Sequence, residues 1–460
     1  MSNILLVEPD YRSKFPPLGL LRISSFHKEN GDSVSFIRGK NLNFKESYWD
    51  RIYIASLYTY ELPRTVSTIK YYLSSVSNPN KIYVGGIGAT LIPDYIKNRI
   101  KCTVIEGQLD QPKILGQENL KPIAEYVPDY SIIDNGSWHY KPTDAYFCRV
   151  SKGCIRKCNF CAVPILEPNF GFSQSIESQI KNVNERFGER QNIVLLDNNL
   201  LALQKLDQII GEIRYAGFSR GATRLSRKRI VDFNQGIDAR LINNKIARKL
   251  YSICLQPVRL AFDYDAMEKP YLKAIYHLVK VGFNSFTNYV MYNYEDTPLS
   301  LYNRLRINVE LSSKMGVRIT GFPMKYIPIN NIDRKYISKG WRWRYLRGMQ
   351  CILLATHGLT SPNLDFFNAA FGKSYEEFLE ILSMPDQYII HRNRYKNNEA
   401  HEWQKKFKKL SQSDREEFIN LLEIVHRSVN RQALITSNGK FRSLLEHYYP
   451  NGQIPQRQAS

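Results

Sequence analysis

The stretch RVSKGCIRKCNFCAVP, residues 149–164, decides how this chain is read. It places three thiols, Cys154, Cys158 and Cys161, in one short loop that also carries Lys152, Gly153, Arg156 and Lys157. A loop so charged is not a core segment, so three unrelated buried cysteines are a poor account of it. The chain holds seven cysteines in 460 residues, too few and too unevenly spread for a disulfide framework. Metal chemistry accounts for the spacing better. Short intervals let one loop wrap three corners of an iron–sulfur cubane while backbone amides and cations offset thiolate charge, and three protein ligands leave the fourth iron open. Structural zinc is the competing reading; it needs a fourth ligand, for which Cys148 and His139 are the candidates.

Outward from this loop the pattern is strand followed by helix. Apolar runs at 147–151, 192–196, 230–234, 258–262, 286–292 and 317–323 alternate with helical periodicity, for example at 203–215, 269–281 and 299–314. Six such units are two short of a closed eight-fold barrel and suit a partial TIM-type barrel, with functional loops after the strands. Upstream, NILLV at 3–7 meets Glu8-Pro9-Asp10 as a buried strand meets a loop, and PPLGLLRISSFHKENGD reads as a helix stopped at Gly31. Strands at 33–37, 52–56, 81–84 and 104–105, with helices near 63–73 and 89–99, extend the alternation. The expected fold class is therefore α/β: a Rossmann-like (flavodoxin-like) parallel sheet at 1–125, a proline-marked linker at 126–145, a partial barrel at 146–328 and a mostly helical C-terminal domain at 329–460. Segments SYEEFLEIL, WQKKFKKL and DREEFINLLEIVHR carry the helical period of that last part, and the tail after Pro450 is expected to fray.

No apolar run approaches the roughly 18 residues that span a bilayer, and MSNILLVEPDYRSK reaches charge too early for a secretory signal, so a cytoplasmic protein without a membrane partner is expected. The formal charge of +21 invites a nucleic-acid reading. Its excess is diffuse, however, which disfavours a dedicated nucleic-acid surface. The densest stretches are SRGATRLSRKRI, with Arg220, Arg224, Arg227, Lys228 and Arg229, and Trp341-Arg342-Trp343-Arg344-Tyr345. The first suits phosphate or simple solvation; the second suits base stacking or a packed helix with snorkelling arginines.

Cys154-x3-Cys158-x2-Cys161, with Phe160 before the last cysteine, resembles the signature of the radical S-adenosylmethionine (SAM) superfamily. The resemblance implies a [4Fe-4S] cluster on the three cysteines, SAM chelated at the open iron, reductive cleavage to a 5′-deoxyadenosyl radical, and a reducing partner such as flavodoxin or ferredoxin. It extends along the barrel. Leu195-Leu196-Asp197-Asn198-Asn199 stands where the family has a Gly-Gly-Glu-like segment, so Asp197 and Asn198 are the implied acceptors for the SAM amino group; a plain turn is the alternative. FNQGIDARL offers Gln235, Asp238 and Arg240, with Arg240 as a partner for the SAM carboxylate or a helix-flanking ion pair. Asp263 is the implied ribose-facing carboxylate. In YVMYNYEDTP, Tyr292 resembles the adenine-packing position, with Asn293 and Glu295 beside it; a strand followed by a helix capped at Thr297 and begun by Pro298 is the alternative.

Residues 1–125 resemble the cobalamin-binding domain that precedes the barrel in one radical SAM class. Ser56, at the end of a strand, and Gly85-Gly86 are the implied cofactor contacts, and methyl transfer is the implied chemistry if cobalamin binds. The chain departs from the pattern in having no Asp-x-His-x-x-Gly loop after its first strand; His27 lies inside the expected first helix and reads as a surface or packing residue. Two other functions remain open at this point: a nucleic-acid-binding protein with a structural zinc or iron–sulfur site, and a methylthiotransferase-like enzyme acting on transfer RNA. The second lacks an N-terminal cysteine trio for an auxiliary cluster. The substrate is not legible.

Overall fold

The computed structural model describes residues 1–116, 121–134 and 138–450; the tail after Pro450 lies outside them. Two compact units divide the chain, the first built from 1–259, 280–282 and 327–335 and the second from 260–279, 283–326 and 336–460.

The first unit begins with β1 (Asn3–Glu8), β2 (Ser33–Arg38), β3 (Arg51–Ala55), β4 (Ile82–Gly85) and β5 (Thr103–Ile105). All pair in parallel, in the order β2-β1-β3-β4-β5. The centres of β1 and β3 are apolar and buried because both faces of the sheet are covered there. Leu5, Val7, Ile52 and Ile54 pack with Leu62, Val66 and Ile69 on one side, while Ile4, Leu6 and Tyr53 pack with Leu20, Ile23 and Phe26 on the other. This is the flavodoxin-like order, whose direction reverses between β1 and β3; such sheets bind ligands beyond the C-terminal strand ends at that reversal. His27 sits in the helix Leu18–Glu29. It is fully buried, with Nδ1 2.7 Å from Asp32 and Nε2 3.0 Å from the Tyr53 hydroxyl, and burial lowers its pKa, so it is a packing residue. The helix expected at 89–99 is instead two short ones, Ile87–Leu91 and Pro93–Lys97, because Pro93 has no N–H to continue the first.

The same unit holds β6 (Ala145–Cys148), β7 (Asn192–Leu195) and β8 (Val231–Phe233), parallel and in the order β8-β7-β6. Three further strands, β9 (Val258–Ala261), β10 (Ser285–Tyr292) and β11 (Arg318–Lys325), form another sheet in that order. All six strands expected after residue 145 are present, as two three-stranded sheets.

In the second unit one core runs from Val290, Tyr292, Leu301 and Leu305 into the C-terminal helices through Met349, Phe378, Trp403 and Phe418. Helices Tyr375–Ser383, Glu399–Lys408 and Gln412–Arg427 coincide with the three segments whose period announced them. In both dense basic stretches some of the cations are held by neighbouring side chains, while Arg227 and Lys228 are exposed. Arg224 and Arg229 pair with Glu189, and Arg220 lies over Tyr251 with its guanidinium carbon 3.3 Å from the ring centre. Trp341 is buried and donates to Asp296 at 2.9 Å, while buried Arg344 bonds Asp386 at 2.9 Å. The helix starts only at Trp343, so Trp341 and Arg342 precede it, and Arg344 is a buried ion-pair partner rather than a snorkelling one. No described helix is long and apolar enough to cross a membrane.

Candidate functional site

The cysteine loop opens where β6 ends. Ser151–Lys152 pairs antiparallel with Gly171–Phe172, so a two-residue ladder ties the loop at its base. Between these arms Gly153 takes φ 68°, and a Cβ there would lie 2.5 Å from the Asn169 carbonyl oxygen and 2.9 Å from that of Glu167. Only glycine tolerates both the left-handed backbone and that approach. Glu167 gathers the two ends of the loop: its Oε2 accepts the Gly153 N–H at 2.6 Å and Asn198 Nδ2 at 2.9 Å, and the carboxylate pairs with Arg149.

Cys154, Cys158 and Cys161 are half-buried, and none of the seven cysteines is in a disulfide. Backbone N–H groups turn toward two of the sulfurs. Arg156 donates to Cys154 Sγ at 3.3 Å and Val163 to Cys161 Sγ at 3.5 Å. Phe160 is half-buried between the last two cysteines. Among the described residues, no three His, Cys, Asp or Glu side chains gather closely enough to hold one metal ion. A cubane takes its ligands at separate corners and does not need such a gathering. The two candidate fourth zinc ligands are not in the loop: Cys148 is a core residue of β6 whose thiol burial pushes up to about 12, and His139 is an exposed residue between the described ends of the linker.

The loop after β7 meets the cysteine loop through three consecutive side chains with separate tasks. Asp197, 5% exposed, accepts the N–H of Val150 at 3.1 Å and of Ser151 at 2.6 Å, and the Ser151 hydroxyl. Burial pushes its carboxyl up to about 6 against these hydrogen bonds. Asp197, the residue expected to face the SAM amino group, has its oxygens turned to the backbone leading into the cysteine loop, a positioning task in this structure. Asn198 is held by Glu167. Asn199, which sequence reasoning passed over, is 4% exposed; its Nδ2 lies 3.4 Å from Cys154 Sγ and 3.4 Å from Asp238 Oδ2, and its Oδ1 is buried without a hydrogen-bond partner.

From the loop after β8, Asp238 accepts Arg156 Nε at 2.9 Å and Arg240 Nε at 2.6 Å. Burial works to raise its pKa, but the two arginines outweigh this and hold it below the usual carboxylate range. The ion-pair reading of Arg240 is therefore the one observed, and Gln235 stands exposed on the same loop. In the second unit Asp263 is half-buried, and its carbonyl accepts from Arg304 at 2.9 Å. Tyr292 is 1% exposed and packs its ring 5.4 Å from Trp341 inside the helical core. Expected to pack against adenine, it lies with residues 286, 288 and 290 on one face of β10, and that face is buried. Asn293, at φ 69°, clamps the carbonyls of Tyr326 and Tyr336, and Thr297 caps the helix that Pro298 begins. The strand-then-capped-helix reading describes this segment.

At the edge of the first sheet Ser56 follows β3 and its N–H donates to Gly85, which ends β4. Gly86, at φ 110°, and Gly88 close over it; a Cβ on Gly86 would lie 2.5 Å from the Ser56 carbonyl oxygen. The Ser56 hydroxyl is buried without a hydrogen-bond partner. Glu8, where a lower axial histidine would be sought nearby, is instead enclosed by Ser13, Arg38 and Tyr140.

No protein-family model matches the chain, and no curated protein matches its sequence. Among solved structures it is similar to the cobalamin-dependent SAM radical enzyme OxsB. With aqua-cobalamin and SAM bound, that structure gives a TM-score of 0.51 at 12% identity, over 99% of this chain and 76% of OxsB. The apo form gives 0.50 at 13% identity, over 98% and 75%. The radical SAM methyltransferase TsrM from Kitasatospora setae, with tryptophan and aza-SAM bound, gives 0.49 at 13% identity over 76% of each chain. At this identity the likeness to OxsB is one of fold, and it extends over nearly the whole chain.

Proposed function

We propose that this chain is a radical SAM enzyme, carrying a [4Fe-4S] cluster on Cys154, Cys158 and Cys161 in the loop that follows β6. The observation that carries the proposal is a tied loop of three half-buried thiols, two of them receiving backbone N–H groups, beside the buried, unpartnered Oδ1 of Asn199. Amide donors of this kind offset charge on thiolate and cluster sulfur. A [4Fe-4S] cluster held by the three cysteines would supply the electron for reductive cleavage of SAM.

The chain's own residues prepare that site. Gly153, Glu167 and Asp197 fix the path of the cysteine loop. Asn199 Oδ1 offers an acceptor for the SAM ammonium, a buried amide oxygen being costly to leave unpaired. Phe160 offers apolar surface between two cluster ligands. Ser56, Gly85 and Gly86 lie at the C-terminal ends of β3 and β4, where a corrinoid would sit on a flavodoxin-like sheet. Bound cobalamin would supply a methyl carrier, which makes methyl transfer the leading reaction in that case. A flavodoxin- or ferredoxin-type protein is the proposed reductant.

Anaerobic reconstitution tests the proposal. Wild type should become brown and release 5′-deoxyadenosine from SAM under dithionite, and Cys158→Ala should do neither. A colourless protein with stoichiometric zinc, or a Cys158→Ala variant that still cleaves SAM, would sink it.

A further inference from the structure

Asn199 reaches the cysteine loop from the loop after β7, and its amide has two ends with different surroundings. Oδ1 is buried without a partner, while Nδ2 stands 3.4 Å from both Cys154 Sγ and Asp238 Oδ2. Which end is nitrogen follows from chemistry. Asp238 is bonded by Arg156 at 2.9 Å and Arg240 at 2.6 Å, and a carboxylate held by two guanidiniums only accepts. An amide oxygen turned toward it would meet repulsion; the NH₂ group does not. The same orientation aims an N–H at Cys154.

Cys154 thus receives a side-chain donor in addition to the backbone N–H of Arg156. The difference matters because a backbone donor survives substitution and a side-chain donor does not. Hydrogen bonds to the sulfurs are among the factors that set an iron–sulfur potential, since they stabilise the more negative, reduced state.

We propose that Asn199, oriented by Asp238, tunes the cluster by donating an N–H to the Cys154 thiolate and so makes the cluster easier to reduce. The inference rests on the reading that the cysteine trio carries the cluster. It adds a positioning and tuning residue from a neighbouring loop, one that links the Arg156–Asp238–Arg240 ion pairs to the first cluster ligand.

The test is a redox titration of anaerobically reconstituted wild type, Asn199→Leu and Asn199→Asp without SAM, followed by electron paramagnetic resonance, with iron and sulfide measured on each. Leucine has similar bulk and no donor; a carboxylate only accepts. Losing one such bond should lower the reduction equilibrium about fivefold in Asn199→Leu, which at 59 mV per tenfold for one electron is about 40 mV more negative. Asn199→Asp should move further in the same direction. Full cluster content with unchanged midpoints in both variants overturns the tuning role and leaves the cluster assignment standing. A wild type that takes up no cluster overturns both. Should Asn199→Leu fail to hold the cluster, Asn199→Ala makes the same comparison, and an unshifted midpoint there counts equally against it.

Discussion

Removing Asp197 tests whether the cysteine loop is held from beneath. Its Oδ1 accepts the N–H groups of Val150 and Ser151 at 3.1 and 2.6 Å and the Ser151 hydroxyl as well. Asp197→Ala leaves two buried N–H donors without acceptors, at about 1–3 kcal/mol each, or roughly 4 kcal/mol together. At about 1.4 kcal/mol per tenfold, amide hydrogen exchange of the segment 149–153 should quicken roughly a thousandfold. Asp197→Asn keeps an acceptor oxygen at the main position and should preserve most of the protection. Charge adds a second signature. Burial raises the carboxyl from 3.8 to about 6 in the folded state, so the native protein binds this proton more tightly than the unfolded chain does. That contribution is complete below pH 3.8 and is lost as pH rises through 6, a span of about 3 kcal/mol. The asparagine variant does not titrate. Its urea midpoint, measured on metal-free protein, should gain on wild type between pH 4 and 7. An alanine variant as well protected as the asparagine variant, together with a pH-independent difference, would refute the reasoning.

Gly153→Ala should keep its far-UV circular dichroism but lose most of its iron on reconstitution, because the new Cβ meets backbone atoms at 2.5 and 2.9 Å that cannot yield; iron content equal to wild type would count against the tied-loop account. Arg304, 1% exposed, donates to the carbonyls of Phe262, Asp263 and Met291 at 3.0, 2.9 and 2.8 Å and to Asp296 at 2.6 Å. Arg304→Met strands a buried carboxylate and should cost about 3–5 kcal/mol, seen as a thermal midpoint lower by roughly 10 °C, with Asp296→Asn in the same chain restoring part of it.

The elements were legible where period and length agree. Apolar runs at 147–151, 192–196 and 286–292 overlap β6, β7 and β10, and their parallel pairing follows from the helices between them. The cysteine spacing was legible as well, being local. What the sequence hid was side-chain direction. Asp197 and Asn199 flank Asn198 in one turn, yet where each side chain points depends on Val150, Ser151 and Cys154, more than forty positions away. Glu167 was missed because the ladder that returns it to Gly153 is two residues long, too short to show a period. For Tyr292 a signal existed. Alternation along β10 groups it with Phe286, Asn288 and Val290, all of them buried, Asn288 being bonded to Asn308.

The surroundings of the three sulfurs also differ in kind from what composition suggests. Lys152, Arg156 and Arg149 stand close in sequence to Cys154, as if the loop were cationic. Each is paired, Lys152 with Asp110 at 3.0 Å, Arg156 with Asp238 at 2.9 Å, and Arg149 with Glu167. A paired guanidinium exerts little net field at a distance, so these cations act chiefly as struts. What is directed at the sulfurs is a set of dipoles: the N–H groups of Arg156 and Val163 and the amide of Asn199. Dipoles fixed by a folded loop need no reorganisation when charge arrives. Their aim depends on three loops that follow adjacent parallel strands and therefore lie along one edge of the sheet, with Asp197 and Asn199 after β7 and Asp238 after β8 converging on the segment after β6. The geometry of the site is thus a property of the parallel sheet, and perturbing any of these supports should reach the sulfurs without touching a cysteine.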